Sequence, residues 1–125
     1  MLPESMLDEP IQPGLFHPSG AVLGSGGVIV LDESTSVFEV VRALAKYNAA
    51  ESCGKCTPCR EGTPRMVDLL DRMGSGGSHS VAVELRELAN VIASASLCGL
   101  GQMAGGPIVS ALDLLGEEMV GKGNG

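Results

Sequence analysis

The chain contains no tryptophan, one tyrosine and two phenylalanines among its 125 residues, so any core must be assembled from Leu, Val, Ile, Ala and Met. So few large side chains limit what hydrophobic burial alone can stabilise, and a bound metal centre is one way to make up the deficit. Positive charge is also scarce: 8 Lys and Arg against 15 Asp and Glu give a formal net charge of -7. No basic stripe exists to neutralise phosphates, which argues against nucleic acid as a partner. No apolar run approaches the length needed to span a bilayer. The opening Met1-Leu2-Pro3-Glu4-Ser5 lacks the basic residues and apolar stretch of a secretory signal. Together with the length, these absences predict one small domain at most, with room for an appended segment, cytoplasmic and not membrane-spanning.

What the chain does contain is a concentrated use of cysteine. Three of its four cysteines fall in Cys53-Gly54-Lys55-Cys56-Thr57-Pro58-Cys59, and the fourth is Cys98. Cysteines at three-residue spacing can turn their sulfurs toward one centre, and a thiolate arriving from a distant loop can close the site. Buried reduced cysteine is common, but three in a stretch punctuated by Gly54 and Pro58 suit neither a core strand nor a core helix. Two disulfides are possible by count, though they require an oxidising compartment to which nothing in the sequence directs the chain. Four thiolates suit either a structural zinc or a cubane [4Fe–4S] cluster, which takes one thiolate per iron. Zinc sites usually pair two separate C-x-x-C arms. One loop with three ligands and a remote loop with one is the commoner pattern of an iron–sulfur cluster.

Along the chain, residues 1–20 carry Pro3, Pro10, Pro13, Pro18 and His17 without periodicity, and read as an extended arm. Gly24-Ser25-Gly26-Gly27 precedes the apolar Val28-Ile29-Val30-Leu31 and then Asp32-Glu33, which predicts a turn leading into one short buried β-strand. Four helical segments follow. Ser36 and Glu39 form a capping-box pattern for the first, with Val37, Val40, Val41, Leu44 and Ala45 at helical spacing. The second begins near Cys59 or at Pro64, carries Met66, Val67, Leu70 and Met73, and ends at Gly74-Ser75-Gly76-Gly77. His79 sits in that polar linker, with no ligand role expected. The third spans about 81–96 with Leu85, Leu88, Ile92 and Ala95 on a stripe, and it leads into the Cys98 loop. The fourth starts at Pro107 and continues through Ile108, Ala111, Leu112, Leu115 and Met119.

The pattern therefore predicts an all-α fold, a short four-helix bundle carrying one cluster and preceded by an extended arm with a short strand. Its divisions fall at 1–33 for the arm and strand, 34–121 for the helical metal-binding domain and 122–125 for a frayed tail. The first and third helices would deliver both cysteine loops to the same end, where a cluster staples helices individually too short to be stable in water. Lys55 and Arg60 stand beside the ligands, either to offset cluster charge or as ordinary solvated cations, and Arg60 can equally pair with Glu61. No Cys/His or Ser/His/Asp constellation offers nucleophilic catalysis. Four occupied thiolates leave no open iron for substrate, so the chemistry is that of moving electrons rather than atoms.

Residues 51–63, Glu51-Ser52-Cys53-Gly54-Lys55-Cys56-Thr57-Pro58-Cys59-Arg60-Glu61-Gly62-Thr63, resemble the cluster motif of the NADH-binding flavoprotein subunit of respiratory complex I and of the related diaphorase subunits of NAD-linked hydrogenases and formate dehydrogenases. Ser96-Leu97-Cys98-Gly99-Leu100-Gly101 is similar to the fourth-ligand loop of that family, and Leu23-Gly24-Ser25-Gly26-Gly27-Val28-Ile29-Val30 to the segment that enters this domain. The resemblance implies that Cys53, Cys56, Cys59 and Cys98 bind one [4Fe–4S] cluster, which takes electrons one at a time from FMN reduced by NADH. It implies that Gly99 and Leu100 lie between cluster and flavin. Pro3-Glu4-Ser5-Met6-Leu7-Asp8 resembles the end of the family's small β-rich domain, so the family's flavin- and NADH-binding motifs fall before the matched region. FMN and NAD are therefore expected on a partner chain, with other iron–sulfur subunits as further partners. A structural zinc-binding adaptor, or a truncated remnant that no longer transfers electrons, is the alternative.

Overall fold

The computed structural model describes residues 1–2, 4–8, 10, 26–76, 79–116 and 119. Five α-helices order the described residues: α1 (Val37–Ala50), α2 (Thr57–Gly74), α3 (His79–Ala95), the short α4 (Gly99–Met103) and α5 (Gly106–Leu115). A 3-10 turn, Glu4–Met6, lies ahead of them. The helix pairs α1–α2, α2–α3, α3–α5 and α5–α1 all touch, so the four longer helices close a ring around one core, with α4 set against α2 and α3. This is the expected four-helix bundle. Among the described residues no helix is long and apolar enough to cross a membrane.

Local chemistry explains where these helices start. Ser36 has extended backbone and its hydroxyl accepts the Glu39 N–H at 3.4 Å, capping α1. Cys56, also extended, is the N-cap of α2, and Pro58 follows in the first turn, where a missing N–H costs nothing. Pro64 therefore lies inside α2 rather than opening it. It sits on an exposed face, and the earlier start at Thr57 arises because the cysteine loop itself delivers the first turn. His79, expected in the linker, is instead the first, exposed residue of α3. At the other end of the bundle α5 stops at Leu115, where Gly116 takes φ +49°, and Met119 is buried beyond that turn.

The helices turn their apolar stripes inward. Met66, Leu69, Leu70 and Met73 of α2 meet Leu85 and Ile92 of α3, all six without measurable exposure. Phe38, Val41 and Ala45 of α1 and Ile108, Ala111 and Leu112 of α5 complete the core. Fully burying a side chain of this kind stabilises by roughly 1.5–3 kcal/mol. The expected stripes are right in period but slip by a residue in places. Phe38, Leu69 and Ala89 are buried, whereas Val67 and Leu88 are half-buried and Ala95 is exposed. Outside the core, ion pairs run along the seams: Arg42 with Asp71 (2.5 Å), Arg65 with Glu84 (2.9 Å) and Arg86 with Asp113 (2.6 Å). Their exposure makes each a small contributor.

Two expectations are corrected. Val28-Ile29-Val30-Leu31 forms no strand: Val28, Ile29 and Val30 are exposed by 64%, 68% and 89%. A strand needs a hydrogen-bonded neighbour, and none lies beside it among the described residues. The second correction is α4, which stands where a plain loop is expected. Two glycines in five residues depress helix propensity, yet Cys98 supplies its N-cap and Gln102 closes the turn, its N–H bonding the Cys98 carbonyl at 3.1 Å. The expected arm around His17, the glycine turn at 24–25 and the tail at 122–125 lie outside the described residues.

Candidate metal centre

The cysteine loop begins where α1 stops, at Glu51, whose N–H still bonds the Tyr47 carbonyl at 2.9 Å. Gly54 then takes φ +73°, a left-handed conformation that L side chains rarely adopt. That reversal allows Cys53 and Cys56 to share one side of the loop. Its shape is braced from α2: the Arg60 guanidinium donates to the Gly54 carbonyl at 2.9 Å while pairing with Glu61 at 2.8 Å. Arg60 is thus a brace for the loop, and Lys55 is the cation that lines the site.

Two of the four cysteines occupy the same local position. Cys56 caps α2 and Cys98 caps α4, both with extended backbone. Cys59 follows Cys56 within the first turn of α2 and is buried. Cys53 and Cys98 are exposed and Cys56 is half-buried.

All four meet. Cys53, Cys56, Cys59 and Cys98, with Glu51, Ser52, Lys55 and Leu100, line one cavity of about 100 Å³. Nucleotide- and drug-sized ligands take roughly 300–1,000 Å³, so the space suits a compact inorganic group. The sulfurs line a wall rather than meet at a point: among the described residues no three Cys, His, Asp or Glu side chains are gathered to hold a single ion.

Polar groups aim at this wall. The Leu97 backbone N–H, followed by the Cys59 N–H and the Ser96 hydroxyl, holds the Cys56 thiol below its usual pKa against the opposing effect of burial. Ser52 Oγ lies 3.3 Å from Cys59 Sγ. Ser96 is buried, and its oxygen meets no partner in hydrogen-bonding geometry although it stands close enough to favour the Cys56 thiolate. Gly101 allows this crowding, since a Cβ there would run into the Ser96 side chain and stand 3.2 Å from Cys59 Cβ. Thiols around one small cavity, with donors directed at them and a buried hydroxyl left over, fit an anionic thiolate-bound centre.

The structure brings together every cysteine singled out by spacing. What spacing missed is the pair of serines. Their only sequence signal is position, Ser52 immediately before Cys53 and Ser96 two residues before Cys98, and serine is too common in loops for that to stand out.

The model of the NADH-ubiquinone oxidoreductase-F iron–sulfur binding region matches residues 39–122, more than half of the chain. Among curated relatives, the HndC subunit of the NADP-reducing hydrogenase of Solidesulfovibrio fructosivorans is 38% identical over 99 residues, covering 78% of this chain and 20% of its own. The F subunit of NADH-quinone oxidoreductase from Rickettsia rickettsii is 37% identical over 109 residues, 86% of this chain and 26% of its own. Its counterpart from Mycobacterium tuberculosis (strain ATCC 25618 / H37Rv) is 34% identical over 119 residues, 94% of this chain and 27% of its own. The chain therefore spans a fifth to about a quarter of the length of these relatives.

Proposed function

The chain belongs to the family of NADH-ubiquinone oxidoreductase-F iron–sulfur binding regions, and we propose that Cys53, Cys56, Cys59 and Cys98 hold one [4Fe–4S] cluster that relays single electrons within an NAD(P)H-linked oxidoreductase. The observation that carries this reading is the convergence of four cysteines, from two loops far apart in sequence, on one small cavity.

A [4Fe–4S] cluster bound there supplies one-electron redox chemistry. The rest is the work of the chain's own residues. Four thiolates satisfy four irons, leaving no open coordination position for a substrate. The Leu97 N–H keeps Cys56 as a ready ligand, and Gly54 fixes the loop that presents Cys53 and Cys56. Lys55 lies on the cavity wall, where its charge offsets that of an anionic centre. Cys98 is exposed and Leu97 beside it is exposed by 73%, so this edge is where an electron donor can approach closely.

Hydride arrives as two electrons and a cluster takes one at a time, so a flavin must stand between. The cavity is too small for a flavin. FMN and NAD therefore belong to a partner chain or domain, and other iron–sulfur subunits receive the electron next. The relatives are named as subunits of quinone oxidoreductases and a hydrogenase, which supports placing the chain inside such an assembly. Four thiols kept reduced as ligands favour a reducing compartment, the cytoplasm.

Mixing decides the matter. The purified, flavin-free chain is expected to leave NADH unoxidised, and adding a flavin- and NADH-binding partner should bleach the cluster absorption. Reduction of an artificial acceptor by NADH with the flavin-free chain alone, at a rate typical of diaphorases, would overturn the relay.

A further inference from the structure

Two serine hydroxyls stand at the cysteine end, beyond the apolar core. Ser52 Oγ stands 3.3 Å from Cys59 Sγ and also accepts the Gly54 N–H at 3.4 Å. An oxygen already accepting from the backbone has its own proton to give, and a metal-bound thiolate can only accept, so the direction is Ser52 to Cys59. Cys59 is buried, which places this bond where electrostatic interactions are strong.

Ser96 makes the complementary case. It is 6% exposed, and its hydroxyl is buried without a hydrogen-bond partner. Buried polar groups are almost always paired, and leaving one unpaired is costly. Its neighbours do not supply the acceptor. The Gln102 side chain donates to the Ser96 carbonyl at 3.1 Å, not to the hydroxyl, and Gly101 offers no side chain, since a Cβ there would run into Ser96. Gly101, against which this side chain is packed, also stands against Cys59, since a Cβ there would lie 3.2 Å from Cys59 Cβ, so the free hydroxyl lies on the Cys59 side of the thiol-lined cavity.

We propose that Ser52 and Ser96 are positioning residues for electron transfer, Ser52 donating a hydrogen bond to the Cys59 thiolate and Ser96 donating its free hydroxyl to the same buried side of the thiolate wall, thereby raising the reduction potential of the cluster those thiolates hold. The inference rests on the four-cysteine cluster reading above. Its physics is general: one-electron reduction adds negative charge shared with the thiolate sulfurs, and a donor aimed at them stabilises the reduced form more than the oxidised one. The effect is one-sided. The hydroxyls stand on the side of the buried Cys59, whereas Cys53 and Cys98 face solvent.

The test uses the full chain, loaded anaerobically with iron and sulfide and titrated with dithionite while the reduced cluster is followed by EPR. Ser52→Ala and Ser96→Ala are each expected to lower the equilibrium constant for reduction about tenfold, a midpoint about 59 mV more negative for a one-electron couple. The double variant should show roughly the product, about a hundredfold. Ser52→Thr, which keeps the hydroxyl, should restore the parent potential. Iron and sulfide content should be equal in all of them, and the cluster-free form of Ser96→Ala should melt no lower than the parent. Reduction equilibria unchanged from the parent's at equal iron content would overturn the serine assignment alone. Loss of iron from the variants would make the serines structural and overturn it as well. A parent chain that binds no iron and sulfide would overturn both this inference and the cluster reading.

Discussion

Between α2 and α3 the chain buries Met66, Leu69, Leu70, Met73, Leu85 and Ile92 completely, whereas at the cysteine end Cys53, Leu97, Cys98 and Gly99 are exposed and the buried Ser96 hydroxyl finds no partner. Both regions belong to the same helices, since α2 begins at one and runs through the other. The first is finished by apolar packing and asks nothing of a cofactor. The second is a set of thiols around a cavity with backbone N–H groups and hydroxyls beside them, an arrangement that a thiolate-bound cluster would satisfy. Removing the cluster should therefore loosen the cysteine end and spare the middle of the bundle. The scarcity of aromatic side chains is offset within the core by methionines, which fill irregular space, so the staple is needed at one end rather than throughout.

Four substitutions can break or sharpen this contrast. The largest effect is expected from Cys98→Ser, which removes the one thiol that the second loop brings to the cavity: most bound iron should be lost while the helix content of the cluster-free chain stays as before. Iron content equal to the parent's would exclude Cys98 as a ligand. Leu70→Ala strikes the other region. It should destabilise by about 2–5 kcal/mol, by the same amount with and without cluster in chemical denaturation, and a loss confined to the loaded form would erase the distinction between the two regions. Gly101→Ala pushes a methyl group into the Ser96 side chain, where the Cβ positions would be 2.5 Å apart. Overpacking of this kind costs about 1–3 kcal/mol, and iron content should fall with it. A variant that binds iron as the parent does would show that α4 shifts freely. The smallest effect belongs to Ser36→Ala, remote from the cysteines, where loss of the α1 cap costs about 1 kcal/mol and leaves iron content untouched. A change in cluster occupancy there would mean that the two ends are coupled.

The contrast also separates what could be read in the sequence from what could not. Helical stripes in 37–50, 57–74 and 79–95 are legible because apolar residues recur with the helical period, and that period alone decides what faces a core. The four cysteines are legible because Cys53, Cys56 and Cys59 leave almost no other structural use for such a cluster of thiols. Val28-Ile29-Val30 misleads, because an apolar run bounded by glycine and acid carries the composition of a buried strand while saying nothing of whether a neighbouring strand exists. The short α4 is hidden by the low helix propensity of Gly99 and Gly101, of which only Gly101 is packed against Ser96 and Cys59, where a side chain would clash. Ser52 and Ser96 are invisible for a different reason: their importance lies in where a hydroxyl proton points, and only the packing of Gly101 and the Gly54 N–H reveals that.

The most direct test of the four-cysteine centre is a count of iron and acid-labile sulfide in the anaerobically purified chain, read together with its EPR spectrum after dithionite reduction. About four irons and four sulfides per chain, with a signal that appears on reduction and is absent from Cys98→Ser, are expected for one cubane. One zinc per chain in place of iron and sulfide, with no visible absorption and no reducible signal, would contradict it.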